Sequence, residues 1–431
     1  MNAHFPSHPF FEKVAPDAFW CWMARQRWFG GKARPLLEWN VSEIRETDFG
    51  TLAAIRVTYA DGAETYVLPL AWASAPSEHA TILQLDSQSL CDASESRTFQ
   101  SWLFRSLERT PALDRVFAKD EIPPSQMLTS EQSNTSFIFG GKVFVKWYRR
   151  LTDGINPDEE LTRFLSEQTD FPNAPKFLGA LRWAKATIAL ATALTPNQGD
   201  AWQLAHTSIA RASEWGALAS LLGRRTAELH HALAGGTTLD FSPEPLTSHD
   251  LAELRAEIAR LDSANRTALT ERLGSLPHAT ATLATRYLSA PLHIPQPTGW
   301  AGAAKFRTHG DLHLGQVLWT GSDFIFIDFE GEPSRSLAQR RAKRSPLRDV
   351  AGMLRSFHYA AFSAKLDASS ADIWGKKSCS AFLDAWKATA PTLAAGLPLL
   401  DLLIQEKALY ELSYELNNRP DWLHIPLRSL C

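Results

Sequence analysis

Residues 306–332 read FRTHGDLHLGQVLWTGSDFIFIDFEGE, and the rest of the chain is best read outward from them. They place Asp311 in a His-Gly-Asp turn, Gln316 shortly after it, and Asp328 at the end of the strand-like run 324–327. Phosphoryl transfer needs a carboxylate to orient a hydroxyl and accept its proton, and oxygen ligands to hold Mg²⁺ on the phosphates. Mg²⁺ takes few protein ligands and completes its shell with water and phosphate oxygens. Asp311 suits the first task, Gln316 and Asp328 the second.

The spacing parallels the kinase catalytic loop, Asp-x-x-x-x-Asn followed by Asp-Phe-Gly. Gln316 stands in the Asn place and Asp328-Phe329-Glu330 in the place of Asp-Phe-Gly. Two other readings fit the same residues. His309, Asp311 and His313 have zinc-ligand chemistry, and a buried Asp commonly caps a turn. The kinase reading therefore demands the remainder of a nucleotide site upstream.

Composition narrows the choice. With 44 basic and 47 acidic residues the net charge is −3, which advertises neither nucleic-acid nor membrane-surface binding. Cys21, Cys91, Cys379 and Cys431 are scattered without a Cys-x-x-Cys pair, as expected of a reducing cytoplasm rather than a disulfide framework or zinc ribbon. The start, MNAHFPSHPFFEK, lacks a basic segment followed by an apolar run, so no signal peptide is expected, and no apolar run is long enough to span a bilayer. Small molecules are the expected partners.

The order of elements implies an α+β chain in three parts. Residues 1–90 read as a small α+β unit: a helix opening at Pro16-Asp17, then strands over 39–44, 52–59 and 64–70, the last two joined at Asp61-Gly62. Gly30-Gly31-Lys32 hints at a phosphate loop but follows a helix and lacks the Walker spacing, so it reads as a helix-ending turn.

Residues 91–195 read as a helix over 93–107 and an antiparallel sheet, with strands over 128–131, 137–139, 143–148, 177–183 and 187–193 and a hairpin at Gly140-Gly141. The turn Gln132-Ser133-Asn134-Thr135-Ser136 is an ordinary hairpin or a phosphate-contacting loop. Lys146 shares a strand face with Phe144 and Tyr148, opposite Val143, Val145 and Trp147. A buried ammonium needs a partner. Asn156-Pro157-Asp158-Glu159 opens a helix as N-cap, N1 and capping box, which leaves Glu160 to meet Lys146, as kinases pair a strand lysine with a helix glutamate.

Residues 196–431, after a hinge-like 194–200, are mostly helical: runs over 213–234 and 247–288, then a helix from Ser345-Pro346 whose Asp349 can brace the His-Gly-Asp turn. His230-His231 read as structural. The basic run 335–344 lies where an activation segment would, or is a solvated loop. The last helix, 399–416, sets Lys407, Tyr410, Glu411 and Tyr414 along one face, which suits a polyhydroxylated substrate or a plain hydrated surface.

Together QRWFGGK, EQSNTS, VKWYRR, NPDEE, HGDLHLGQ, IDFEGEP, SPLRDVAGMLRSF and YELSYELNNRPDW resemble the bacterial maltokinases, in the aminoglycoside-phosphotransferase-like branch of the protein-kinase fold. The resemblance implies an N-terminal cap, a β-sheet N-lobe and a mostly α-helical C-lobe. It implies ATP and Mg²⁺, and transfer of the γ-phosphate to the anomeric hydroxyl of maltose, giving maltose 1-phosphate for α-glucan synthesis. By position Asp311 is the base, Gln316 and Asp328 the metal ligands, and Lys146 with Glu160 the phosphate holders. Ser133, Asn134, Thr135 and Ser136 cover the phosphates, and Lys407, Tyr410 and Tyr414 hold the sugar. A monomer is expected, and trehalose synthase is the associating enzyme the resemblance suggests. Glucosamine kinase shares the cap and fold, and a catalytically silent kinase scaffold is the alternative from another class.

Overall fold

The computed structural model describes residues 2–4, 8–32, 34–74, 80–128, 134–211, 213, 215–364 and 366–430, which divide into two compact units. One comprises residues 1–163 and 175–194, the other 164–174 and 195–431.

The first unit carries two antiparallel sheets. In the first, Leu36–Thr47, Gly50–Tyr59, Gly62–Ala73, Gln88–Asp92 and Thr81–Leu85 lie in that spatial order. Asn2–His4 adds in parallel at one edge, and Arg150–Leu151 returns to pair with Gly62–Ala73. The three expected cap strands are present but longer, and the hairpin of Thr81–Leu85 with Gln88–Asp92 was not anticipated. Helix Pro16–Arg25 buries Phe19, Trp22 and Met23 against Trp39 and its neighbours. Gly31 follows that helix where a Cβ would run into the Tyr59 ring, and Gly30 donates its N–H to the Tyr66 hydroxyl at 3.2 Å. Gly30-Gly31-Lys32 is thus a turn packed on the cap sheet.

The second sheet runs Glu108–Arg109, Phe177–Trp183, Ala186–Ala193, Val143–Tyr148, Asn134–Phe139, Ser125–Leu128. Gly140 and Gly141 turn its central hairpin with φ of +55° and +65°, the left-handed pair that matches strand twist. Val143, Val145 and Trp147 point into a core shared with Phe49, Leu52 and Val67 of the first sheet and Phe99 and Leu103 of helix Arg97–Ser106. The expected helix over 93–107 begins later, because Asp92 caps a short 3₁₀ turn and Ser96 caps the helix proper through the Phe99 N–H at 3.1 Å.

The second unit is helical. Leu400–Asn418 packs its apolar stripe, Leu402, Leu409, Leu412 and Leu416, against Ser248–Arg272, His278–Ser289 and His424–Leu430. The expected run over 247–288 is two helices, separated by a 3₁₀ turn at Leu273–Ser275 that leads into Pro277. Helix Leu347–Ser363 lies deep in this unit. Its Gly352 approaches so closely that a Cβ would meet the Leu312 carbonyl oxygen at 2.6 Å. No helix among the described residues is long and apolar enough to cross a membrane.

Candidate active site

The His-Gly-Asp turn is held from beneath by one carboxylate. Asp349, in the first turn of Leu347–Ser363, accepts the N–H of His309 on Oδ2 and that of Gly310 on Oδ1, each at 2.9 Å. Gly310 has φ of +85°, a conformation that side chains resist. The expectation that Asp349 braces this turn is met. His230, also expected to be structural, supports Asp349 in turn. Trp386 Nε1–H donates to its Nδ1 at 3.0 Å, which leaves Nε2 to donate to Asp349 Oδ2 at 3.1 Å. Burial alone would raise the Asp349 pKa, but His230, His309 and the Gly310 N–H hold it below the usual carboxylate range.

Both histidines of the zinc alternative serve the loop itself. His309 Nε2 donates to the Ile327 carbonyl at 3.0 Å, tying the turn to the run before Asp328, and its ring packs on Phe329. His313 Nδ1 accepts the Gly315 N–H at 3.1 Å. Among the described residues neither histidine belongs to a group of converging metal-ligand atoms.

Asp311 emerges from this turn and meets Lys407, from helix Leu400–Asn418, at 2.9 Å. Lys407 also reaches Glu332 at 2.7 Å. Burial would lower the Lys407 pKa, but Asp311 and Glu332 carry it well above the ordinary lysine range. Burial likewise opposes ionisation of Glu332, yet Lys407, Arg335 and Arg348 hold its pKa down at about 2. Arg335 bonds Glu332 and, at 2.8 Å, the buried Glu406, which Arg348 also reaches at 2.9 Å. Part of the expected solvated basic run is therefore locked in an ion-pair network.

The other sugar candidates of the last helix differ from one another. Tyr410 receives a hydrogen bond from the Ser334 hydroxyl at 3.2 Å. Burial and the nearby Glu332 push its pKa up to about 12, so it stays a neutral phenol. Tyr414 is 45% exposed, enough to contact a ligand from the surface. Glu411 is spent on Arg355 at 2.6 Å, which removes it from the proposed polar face.

Gln316 and Asp328 are brought together: Gln316 Nε2 donates to Asp328 Oδ2 at 2.8 Å. Asp328 has φ of +66°, and such strained backbone in a non-glycine residue gathers at functional sites. An amide that donates through nitrogen keeps its oxygen as an acceptor, so the pair offers hard oxygen ligands in the small number that Mg²⁺ accepts.

In the sheet-bearing unit two expectations are corrected. Lys146 lies on its predicted face and forms an ion pair with Asp158, at 2.8 Å, a partner the sequence reading does not name. Tyr148 on the same face donates to the same Asp158 oxygen at 2.9 Å. Helix Pro157–Gln168 does begin after Asn156, whose Oδ1 accepts the Asp158 N–H at 3.0 Å. Glu159, however, does not close a capping box on Asn156. It is fully buried, bonded to Arg163, Arg182 and Thr187, and Thr187 supplies the acceptor for the Asn156 N–H at 2.9 Å. With Glu159 turned toward that network, its predecessor Asp158 faces the strand.

The second correction concerns the expected phosphate turn. Asn134, Thr135 and Ser136 are strand residues, paired with Tyr148, Trp147 and Lys146 respectively. Thr135 Oγ1 accepts from Arg149 Nε at 2.9 Å. Ser133, and with it the tip of the turn, lies outside the described residues.

Sequence reasoning missed Asp158, Glu332, Glu406 and the two arginines that clamp Glu406. Glu332 stood inside the opening stretch, but only a partner distant in sequence gives it a role.

Comparison with known proteins fits this geometry. Residues 22–104 match the model of the maltokinase N-terminal cap domain family. Glucosamine kinases of Streptacidiphilus jiangxiensis and Mycolicibacterium smegmatis are 26% and 27% identical over 325 and 326 residues, 70% of this chain and 71% and 78% of theirs. A solved glucosamine kinase in complex with glucosamine, ADP and inorganic phosphate has a TM-score of 0.61 at 21% identity, over 95% of this chain and 97% of that one. Another crystal form gives 0.63 at 22%, over 94% and 95%. The fold is therefore the expected one: α+β and kinase-like, with an N-terminal cap, a sheet lobe and a helical lobe.

Proposed function

We propose that the protein is an ATP- and Mg²⁺-dependent sugar kinase that phosphorylates the anomeric hydroxyl of maltose, giving maltose 1-phosphate for α-glucan synthesis in the cytoplasm. The observation that carries the kinase reading is the construction around Asp311. Two backbone N–H groups anchored on a buried carboxylate fix its turn, and a charged Lys407 lies 2.9 Å from its carboxylate. Asp311 accepts the proton of the attacking hydroxyl, while Lys407 holds the carboxylate in place. Gln316 and Asp328 would hold Mg²⁺, which neutralises charge on the phosphate oxygens. Lys146, steadied by Asp158, is assigned with Glu160 to the phosphates, and the segment from Ser133 to Ser136 to covering them. Tyr410 and Tyr414 are assigned to the sugar.

The charge balance supports a neutral sugar. Asp311, Glu332 and Glu406 are matched one for one by Lys407, Arg335 and Arg348, so none of these three is left over for an ammonium group. The matched cap family points the same way. The names of the curated relatives favour a second reading, glucosamine as acceptor.

One experiment separates the readings: maltose, glucosamine and glucose offered with ATP and Mg²⁺, with products identified by phosphorus NMR. An anomeric phosphate on maltose is expected. Turnover of glucosamine alone removes maltose but keeps the kinase, whereas nucleotide binding without turnover of any sugar points to the silent scaffold.

A further inference from the structure

The helical unit contains a cavity of about 470 Å³ between helix Ser248–Arg272, residues 343–348 and the start of helix Leu400–Asn418. Six cationic side chains line it: Arg260, Lys305, Arg335, Lys343, Arg344 and Arg348. Five of them have carboxylate partners, namely Glu257 for Arg260, Asp250 for Lys305, Glu332 and Glu406 for Arg335, Glu244 for Lys343, and Glu406 for Arg348. Arg344 is different. Among the described residues no carboxylate lies within ion-pair distance of it, and Glu253 on the same wall is engaged by His249 at 3.5 Å.

Arg344 is nevertheless fixed in position. Its N–H and C=O both pair with Phe306, at 2.8 and 3.0 Å, in an isolated antiparallel bridge. Burial and the like charges of Arg348 and Arg335 lower its pKa, and the more weakly acting Glu253 and Glu406 offset this only in part. A half-buried, unpaired guanidinium is costly, and its planar fork matches a phosphate. The cavity exceeds what a bare oxyanion fills and lies within the range of small-molecule sites. Trp300, Leu254 and Leu403 supply apolar walls, and an aromatic wall can pack against a sugar ring.

We infer that this cavity binds a sugar phosphate, with the phosphate monoester on Arg344 and the sugar against Trp300. Neither Asp311 nor Lys407 lines this cavity, although Arg335 and Arg348 join its wall to their ion-pair network, and its occupancy is measurable without turnover.

Glucose 1-phosphate, inorganic phosphate and glucose serve as probes in calorimetric titrations of the full chain. Glucose 1-phosphate is expected to bind about tenfold or more tightly than either, and Arg344→Gln to weaken it by about tenfold or more, the scale of one charge-assisted contact. Trp300→Ala should weaken glucose 1-phosphate and leave inorganic phosphate unchanged. Arg344→Gln retains both backbone bonds and relieves cation crowding, so its melting temperature without ligand should match or exceed that of the parent. Equal binding of glucose 1-phosphate by parent and Arg344→Gln overturns the inference. So does equal binding of glucose 1-phosphate and inorganic phosphate, or loss of binding in Lys146→Met but not in Arg344→Gln.

Discussion

Asp311 has its carboxylate 2.9 Å from an ammonium and its backbone fixed by Asp349, so its side chain can be altered without disturbing the turn. Asp311→Asn should lower kcat by about 10²–10⁴, the usual worth of a positioned general base, with little change in nucleotide affinity. Steady-state kinetics beside ADP titration would show this, and near-parental kcat would remove Asp311 from the role. Lys407 permits a finer test. Lys407→Met leaves Asp311 and Glu332 facing each other without their shared cation, so kcat should fall with little change in nucleotide affinity, and Lys407→Arg, which keeps the charge, should lose less. Equal loss in both variants would mean that the charge of Lys407 is not what positions Asp311. Glu332 predicts a stability effect with a definite sign. Its folded pKa of about 2 lies below the ordinary 4.5, so its contribution is complete above pH 4.5 and drains away as pH falls toward 2. The destabilisation caused by Glu332→Gln, read by urea unfolding, should amount to a few kcal/mol at neutral pH and shrink over that window. At this scale the sequence exposed what is local. His-Gly-Asp, Gln316 and Asp328 lie close together in the chain, whereas the reach of Lys407 to Asp311 crosses 96 residues and no pattern announces it.

Elements were legible where periodicity or turn chemistry had one reading. Alternation in Val143–Tyr148 put Lys146 opposite the buried Val145 and Trp147, and Gly140-Gly141 marked the hairpin. The cap at Asn156 is legible, but the capping box at Glu159 is not formed, because Arg182 and Thr187, remote in sequence, claim that carboxylate, and Asp158 beside it pairs with Lys146. Asn134–Phe139 was misplaced for a related reason: polar residues that could form a turn were drawn into the ladder by their pairing with Val143–Tyr148. Helix Leu347–Ser363 offers the corresponding test of element position. It carries Asp349 and can lie against the catalytic turn only because Gly352 has no side chain. Gly352→Ala should force the helix away from Leu312, cost about 1–3 kcal/mol as overpacking does, and reduce kcat through the displaced Asp349. Differential scanning calorimetry beside kinetics checks both halves. Full activity and unchanged melting would show that the close approach has slack.

Over the whole chain, the cap sheet and the second sheet depend on one another, although the order of elements suggests separable parts. Phe49, Leu52 and Val67 of the first sheet share a core with Phe137, Val145 and Trp147 of the second, and a buried ion pair crosses the same boundary. Arg149 Nη1 lies 2.9 Å from Asp92 Oδ2, with side chains only 3% and 10% exposed, so little solvent screens them. Arg149 also donates to Thr135 Oγ1 in the second sheet at 2.9 Å, while its carbonyl accepts the Val67 N–H of the first at 2.8 Å. Neither partner stands out in sequence, since Asp92 ends one strand and Arg149 follows another with more than fifty residues between them. Removing one member strands the other. Asp92→Ala should cost about 3–5 kcal/mol, the penalty of a buried charge left alone, whereas Asp92→Ala with Arg149→Met should recover part of it. Hydrogen exchange is the discriminating measurement, because two sheets tied by this ion pair and a shared core open together. In Asp92→Ala, amides of Gly50–Tyr59 and of Asn134–Phe139 should lose protection in concert. Faster exchange in the first sheet alone, with Asn134–Phe139 as protected as before, would mean that the shared core holds the second sheet without the ion pair.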